Sequence, residues 1–281
     1  IKGALLLLLH LGGIIALVRW RTFSRRLWCV QCVLMVLIGV SATAGAHRLV
    51  VHQAYEAVFG LHAFYTLFVL MGLTGSPVGW ITTHRLHHRY SDTDLDPHDS
   101  RKGLWYSHFG WTLQPRRPEI QRLAEAELTS DQPYRRFYEV VHRVFTPLGL
   151  FLTFAVPYCA CPDEPLGVAL TTMLRVSVGL NMAASVNSLC HKYGTVSKDG
   201  TIRARDNFWN ALFTWGEGWH NYHHAFPKDF RASPSDDWLR QWNPAQAFIL
   251  LAARLGLAYN LKVGCGADDP DRQFRINGRW Y

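Results

Sequence analysis

Residues 83–98 read THRLHHRYSDTDLDPH, which places four histidines and three aspartates within sixteen positions. The surrounding chain is oily: of 281 residues, 49% are hydrophobic and only 18% charged, against roughly 25% charged in an average soluble domain. On a helix, positions i, i+3 and i+4 fall within about a 100° arc. His84, His87 and His88 are therefore expected to present three imidazoles on one face. So many metal-binding side chains beside apolar runs predict a membrane protein with a metal site at the ends of its spans.

The same spacing recurs at His220-Asn-Tyr-His223-His224, and His47-Arg-Leu-Val-Val-His52 forms a third box. Asn187 and His191 are an i, i+4 pair expected to point the same way. His47 and His52, five apart, are expected to diverge on an ideal helix and to serve different metals. These nine histidines exceed what one ion can hold, since zinc takes four ligands and transition metals commonly six at most. Two ions are the economical reading. Imidazole suits Fe, Zn, Cu and Ni alike, so ligand type leaves the metal open. A carboxylate-bridged bundle would need paired Glu-x-x-His motifs, and only Glu217-Gly-Trp-His220 matches. Asp92, Asp94 and Asp96 are expected to orient imidazole N–H groups or fix their loop rather than to bind metal. His10, His62 and His142 read as structural.

Four apolar stretches read as membrane spans, at 4–18, 27–45, 144–161 and 166–190, the first short for the roughly 20 residues a span needs. The last two are joined by Pro162-Asp163-Glu164-Pro165 and so form a hairpin. No small-residue cleavage site follows the first stretch, which argues against a signal peptide. A fifth stretch, 57–80, carries Gly60, Gly72, Gly75, Pro77 and Gly79. His47 and His84 must share a membrane face, so an odd number of spans cannot separate them, and 57–80 is expected to be an interfacial helix. Most of the 29 Lys and Arg fall on the histidine face, which the positive-inside tendency makes cytoplasmic. The eleven Trp suit interfacial belts. The net charge of +8 suits anionic lipid headgroups or an acidic carrier; no nucleic-acid motif accompanies it. Six Cys do not make a disulfide framework. Cys29 and Cys32 read as small buried apolar residues, and Cys265 stands alone in the tail.

The three boxes, with SDTDLDPHDSRKGLWYSHFGW (91–111), NSLCHKYG (187–194) and WGEGWHNYHHAFP (215–227), resemble the membrane fatty-acyl desaturases of the delta-9, stearoyl-CoA desaturase type, over about residues 46–262. The resemblance implies two irons held by His47, His52, His84, His87, His88, His191, His220, His223 and His224, with Asn187 acting through a water. It implies O2-dependent removal of two hydrogens from an acyl chain, which makes a cis double bond near mid-chain. Electrons would come from a separate donor, ferredoxin or cytochrome b5 with its reductase. The expected fold is an all-α integral membrane protein formed as one domain over 1–281. It has four transmembrane helices in two hairpins, an interfacial helix, and a helical cytosolic cap (46–56, 81–143 and 191–262) holding the di-iron site, followed by a tail, 263–281.

Departures from the family pattern fall where substrate is chosen. Thr82-Thr83 replace an Arg-Asp pair that contacts the CoA headgroup in the animal enzymes, while Arg116 and Arg117 fall near another basic headgroup region. Ala183-Ala184 replace a Thr-Trp pair and are expected to enlarge the acyl pocket. Val50-Val51 replace Trp-Ser in the first box. Trp80 and Trp111 are candidates to line the tunnel. The substrate is thus an acyl-CoA, an acyl-lipid or an acyl-carrier protein. A di-iron hydroxylase or oxidase is the alternative within enzymes. A metal sensor or transporter fits less well, because nearly all the histidines lie at or beyond the span ends rather than within them.

Overall fold

Helices form where the apolar runs lack breakers and stop where Gly, Pro and capping residues accumulate. In the computed structural model, which describes residues 2–126 and 133–264 and the backbone at 275–276 and 279–280, α1 spans Lys2–Val18 and α2 starts at Arg25. Ser24 caps α2, its side chain accepting from the Leu27 N–H. Beyond Val40 the helix continues without a break but rewinds, with i→i+5 hydrogen bonding over Ser41–Val51. The two long helices α7 (Arg135–Ala160) and α8 (Pro165–Ser188) form the expected hairpin about residues 161–164. Cys265 and most of the 263–281 tail lie outside the described residues.

Among the described residues three helices, Arg25–Val51, Arg135–Ala160 and Pro165–Ser188, are long and apolar enough to cross a membrane, whereas Lys2–Val18 is apolar but shorter. At 1.5 Å per residue the three reach roughly 36–40 Å against a hydrocarbon core of about 30 Å. α7 begins at Arg135, well before the expected 144, so its first turns carry charge, including the Arg135–Glu139 pair at 2.6 Å. Their outward faces are apolar, with Val33, Phe151, Leu166 and Val178 all exposed, as are Leu5, Leu8 and Ile15 of α1. A soluble protein rarely leaves so much apolar surface uncovered. α1 lies against α8 with Gly12 so close to Met173 that a side chain there would collide, and with Gly13 tight against Leu174. Small residues permit such close helix approach in membranes.

Within this bundle the buried Arg175 of α8 donates to Gln31 Oε1 (2.8 Å) and to the carbonyls of Met71 (3.3 Å) and Thr153 (3.2 Å). Gln31 in turn donates to Thr171 and Thr172. Polar groups with no water to turn to are thus satisfied across α2, α7 and α8.

The single interfacial helix expected over 57–80 is two helices, α3 (Phe59–Leu70) and α4 (Pro77–Tyr90). Leu73 (φ +53°) and Gly75 (φ +117°) turn the chain between them. Ser76 and Pro77 then restart it, with the Ser76 side chain accepting from the Gly79 N–H. α3, at about 18 Å, is too short to span. The second histidine box is the last turns of α4.

The remaining elements are α5 (Trp111–Leu113), α6 (Pro118–Ala126), α9 (Phe208–Phe213), α10 (His220–Ala225) and α11 (Pro244–Arg254). The fold departs from all-α at two short antiparallel pairs: Glu56–Ala57 with Ala258–Tyr259, which ties the segment after α2 to the end of α11, and Arg275–Ile276 with Arg279–Trp280. The core between these parts is built from Val40, Ala44, Val50 and Tyr55 against Tyr65, Ile81, Phe230 and Ile249.

Candidate metal centre

Two groups of imidazoles gather where α2, α4, α8 and α10 meet: His47, His52, His84, His88 and His223 in one, His87, His191, His220 and His224 in the other. His47 and His52 do not diverge. The i→i+5 winding brings residues five apart into line, with the His52 N–H donating to the His47 carbonyl at 3.1 Å and the rings 4.8 Å apart. Nor does either HxxHH box face one point. At 100° per residue the i+3 and i+4 positions aim apart. α4 therefore sends His84 and His88 to the first group and His87 to the second, and α10 sends His220 and His224 to the second and His223 to the first.

Nε2 faces Nε2 around each group. In the first, His47–His223 and His223–His88 are 3.0 Å apart, and His88–His84 and His84–His52 are 3.1 Å apart. In the second, His191–His220 and His220–His224 are each 3.1 Å apart. Ligand atoms about 2.1 Å from one ion and at right angles to each other lie ~3.0 Å apart. The buried Nε2 of His87 has no hydrogen-bond partner among the described residues, as expected of a lone pair reserved for a cation. Burial, and then the charge of neighbouring imidazoles, holds His52, His84, His88, His220 and His223 well below the ordinary value of 6.5. His87 and His224 are lowered by the same causes. All seven are thus kept in the neutral, metal-binding form. The residues present fit two metal ions.

Carboxylates fix the tautomers from behind. Glu217 Oε2 lies 2.7 Å from His47 Nδ1 and its Oε1 accepts from Arg48 Nη2 at 2.9 Å. Burial would raise Glu217, but His47 and Arg48 pull it down to about 2. Asp96 lies 3.0 Å from His87 Nδ1, and Asp92 lies 3.1 Å from His191 Nδ1. Burial pushes Asp92 up, and the hydrogen bonds from His191 and Ser100 bring it to about 2. Each Nδ1–H is thereby held by an anion, leaving Nε2 free to face inward. Asp94 does not share this role: it is exposed and pairs with Arg101 at 2.7 Å. Sequence reasoning missed Glu217 and Arg48, treating Glu217 only as a failed ligand motif. It also missed His98, which is buried with its ring 4.0 Å from that of His87.

The other expected site residues scatter. Asn187 is half-buried on α8, one turn before His191. Trp80 packs on the core beside Val50 and Val51. Thr82 and Thr83 are buried, and the exposed Arg116 donates to Thr83 Oγ1 at 2.6 Å. Arg117 is exposed. Trp111 lies 5.3 Å from His98, its indole N–H buried without a partner among the described residues. Ala184 is buried but Ala183 is exposed, because neighbours on a helix point 100° apart, so the two do not enlarge one pocket together.

Residues 26–231 match the fatty acid desaturase family. The chain is 40% identical over 228 residues to acyl-CoA desaturase 1 of Saccharomyces cerevisiae, covering 80% of this chain and 44% of that protein. Against stearoyl-CoA desaturase of Sus scrofa it is 36% identical over 266 residues, 92% of this chain and 72% of the relative. Against acyl-CoA Delta(11) desaturase of Choristoneura rosaceana it is 34% identical over 276 residues, 95% and 80% respectively. The chain thus spans less than half of the yeast protein and most of the other two. Its histidine boxes, its apolar helices and the extent of these matches agree, and the chain belongs to the fatty acid desaturase family.

Proposed function

We propose that this chain is an O2-dependent, di-iron fatty-acyl desaturase that introduces a cis double bond near carbon nine of an acyl-CoA. The observation that carries the reading is the pair of inward-facing Nε2 groups, five and four in number, beside membrane-length helices. Bound iron would supply the O2 chemistry that an unactivated C–H bond requires. The nine histidines hold the ions, and Glu217, Asp92 and Asp96 fix the tautomers of His47, His191 and His87. Asn187, one turn from His191, acts through a water on the group with only four imidazoles. Two hydrogens leave the chain; O2, with two electrons and two protons, goes to two waters. The electrons come from a separate ferredoxin, or cytochrome b5 with its reductase.

The substrate class rests on the relatives being acyl-CoA and stearoyl-CoA desaturases and on Arg116, which Thr83 steadies for a phosphate-bearing headgroup. α1 completes a four-span bundle, and the histidine face, rich in Lys and Arg, is cytoplasmic. The test is gas chromatography–mass spectrometry of total fatty acids, with double bonds located chemically, from a desaturase-deficient host carrying either the wild type or His87→Ala. A new monounsaturated acid with the wild type alone supports the reading and gives the bond position. A product with an added oxygen would make the chain a hydroxylase instead.

A further inference from the structure

Beside the five-histidine group lies a cavity of about 20 Å³, between the i→i+5 turn of α2, α3, α4 and the start of α7. Val50, Val51, Val69, Pro77, Trp80 and Ile81 supply most of its wall. Its polar side chains are already engaged: Thr66 Oγ1 donates to the His62 carbonyl, and the Tyr138 hydroxyl lies 2.7 Å from His62 Nδ1. The Tyr65 hydroxyl is hydrogen-bonded to that of Tyr55 at 3.2 Å. A water needs two to four polar partners, and apolar cavities without them stay dry and take up apolar guests such as xenon. The room admits a guest of a few atoms, not an acyl chain. Parts of the wall also adjoin the ligands along the chain. Ala46 and Val51 precede His47 and His52 in the chain, and Trp80 stands one turn before His84 on α4.

We infer that this cavity is a holding site for dioxygen, from which the gas reaches the ion of the five-histidine group. The inference rests on the oxygen-consuming reaction proposed above. Dioxygen is small and apolar, dissolves better in hydrocarbon than in water, and asks nothing of hydrogen-bonding groups.

The test uses the iron-loaded full chain and xenon as probe. Diffraction from xenon-pressurised crystals should place an atom among Val50, Thr66, Val69 and Ile81. Val69→Phe should abolish that site and raise KM for O2 at least five-fold, with iron content and acyl KM unchanged. Val50→Ile, a milder filling, should do the same in part and guards against misfolding of the first variant. Absence of xenon from the wild-type cavity would overturn the inference, as would a filled cavity with unchanged KM for O2. A rise in acyl KM instead would make the cavity part of the acyl path. A wild type that binds xenon yet consumes no O2 with any acyl substrate would sink the desaturase reading and the oxygen assignment together.

Discussion

Glu217 shows how one residue serves two ends. Its carboxylate holds His47 in the tautomer that turns Nε2 inward and neutralises Arg48, which is 1% exposed. Glu217→Ala should cost stability as well as metal. A buried charge stripped of its partner destabilises by about 3–5 kcal/mol, and losing an orienting carboxylate typically weakens metal binding 10- to 100-fold. Thermal unfolding and iron per chain read the two effects separately. Glu217→Gln, which keeps an acceptor but not the charge, should fall between. An unchanged iron content in Glu217→Ala would remove the residue from the site. Glu217 escaped the sequence reading for a physical reason. A glutamate three residues before a histidine looks like a ligand candidate, and only the packing of α2 against the turn before α10 shows it supporting a ligand instead. Asp94 takes the other of the two expected roles: facing away from the imidazoles, it braces the loop through Arg101.

At the scale of the element, the i→i+5 stretch of α2 decides the first group. In α-helical winding His52 would lie about 140° around the axis from His47; the wider turn brings the two rings to 4.8 Å. Deleting Thr43 should let the stretch relax towards α-helical winding and swing one of the two imidazoles out of its group. The expected outcome is helical content by circular dichroism near wild type with at least one of two irons lost. Full iron loading would show that the winding is incidental. This is also where legibility ended. The count of nine histidines pointed to more than one ion, and their gathering into two groups agrees with that. Which imidazole serves which ion depends on rewinding and on how two helices face each other, which spacing does not encode. The break between α3 and α4 was foreshadowed by Gly72, Gly75 and Pro77, but the stretch was read as one interfacial helix. The long spans were legible from apolar length, and their ends moved wherever charged turns extended a helix past the hydrocarbon.

Across the whole molecule, seven imidazoles are held neutral by burial and by one another. Their folded values lie below the unfolded 6.5, so the stabilisation is fully present above that pH and is lost as the pH falls through 6.5 towards the folded values. Metal competes with the same protons. Iron content, measured after desalting at stepwise lower pH, should hold at neutrality and drop steeply below 6.5, more steeply than a single titrating group allows. A flat profile down to pH 5 would contradict the burial seen here. The division of each HxxHH box between both groups carries a consequence for assembly. α4 and α10 each contribute imidazoles to both groups, so an ion seated in one would position imidazoles for an ion in the other before it arrives. Loading should be all-or-none in character: at half-equivalent iron, native mass spectrometry should find chains with two ions or none, and few with one. A chain that lost either ion would then give up its hold on the other, and the pair would be a single proofread unit rather than two sites side by side.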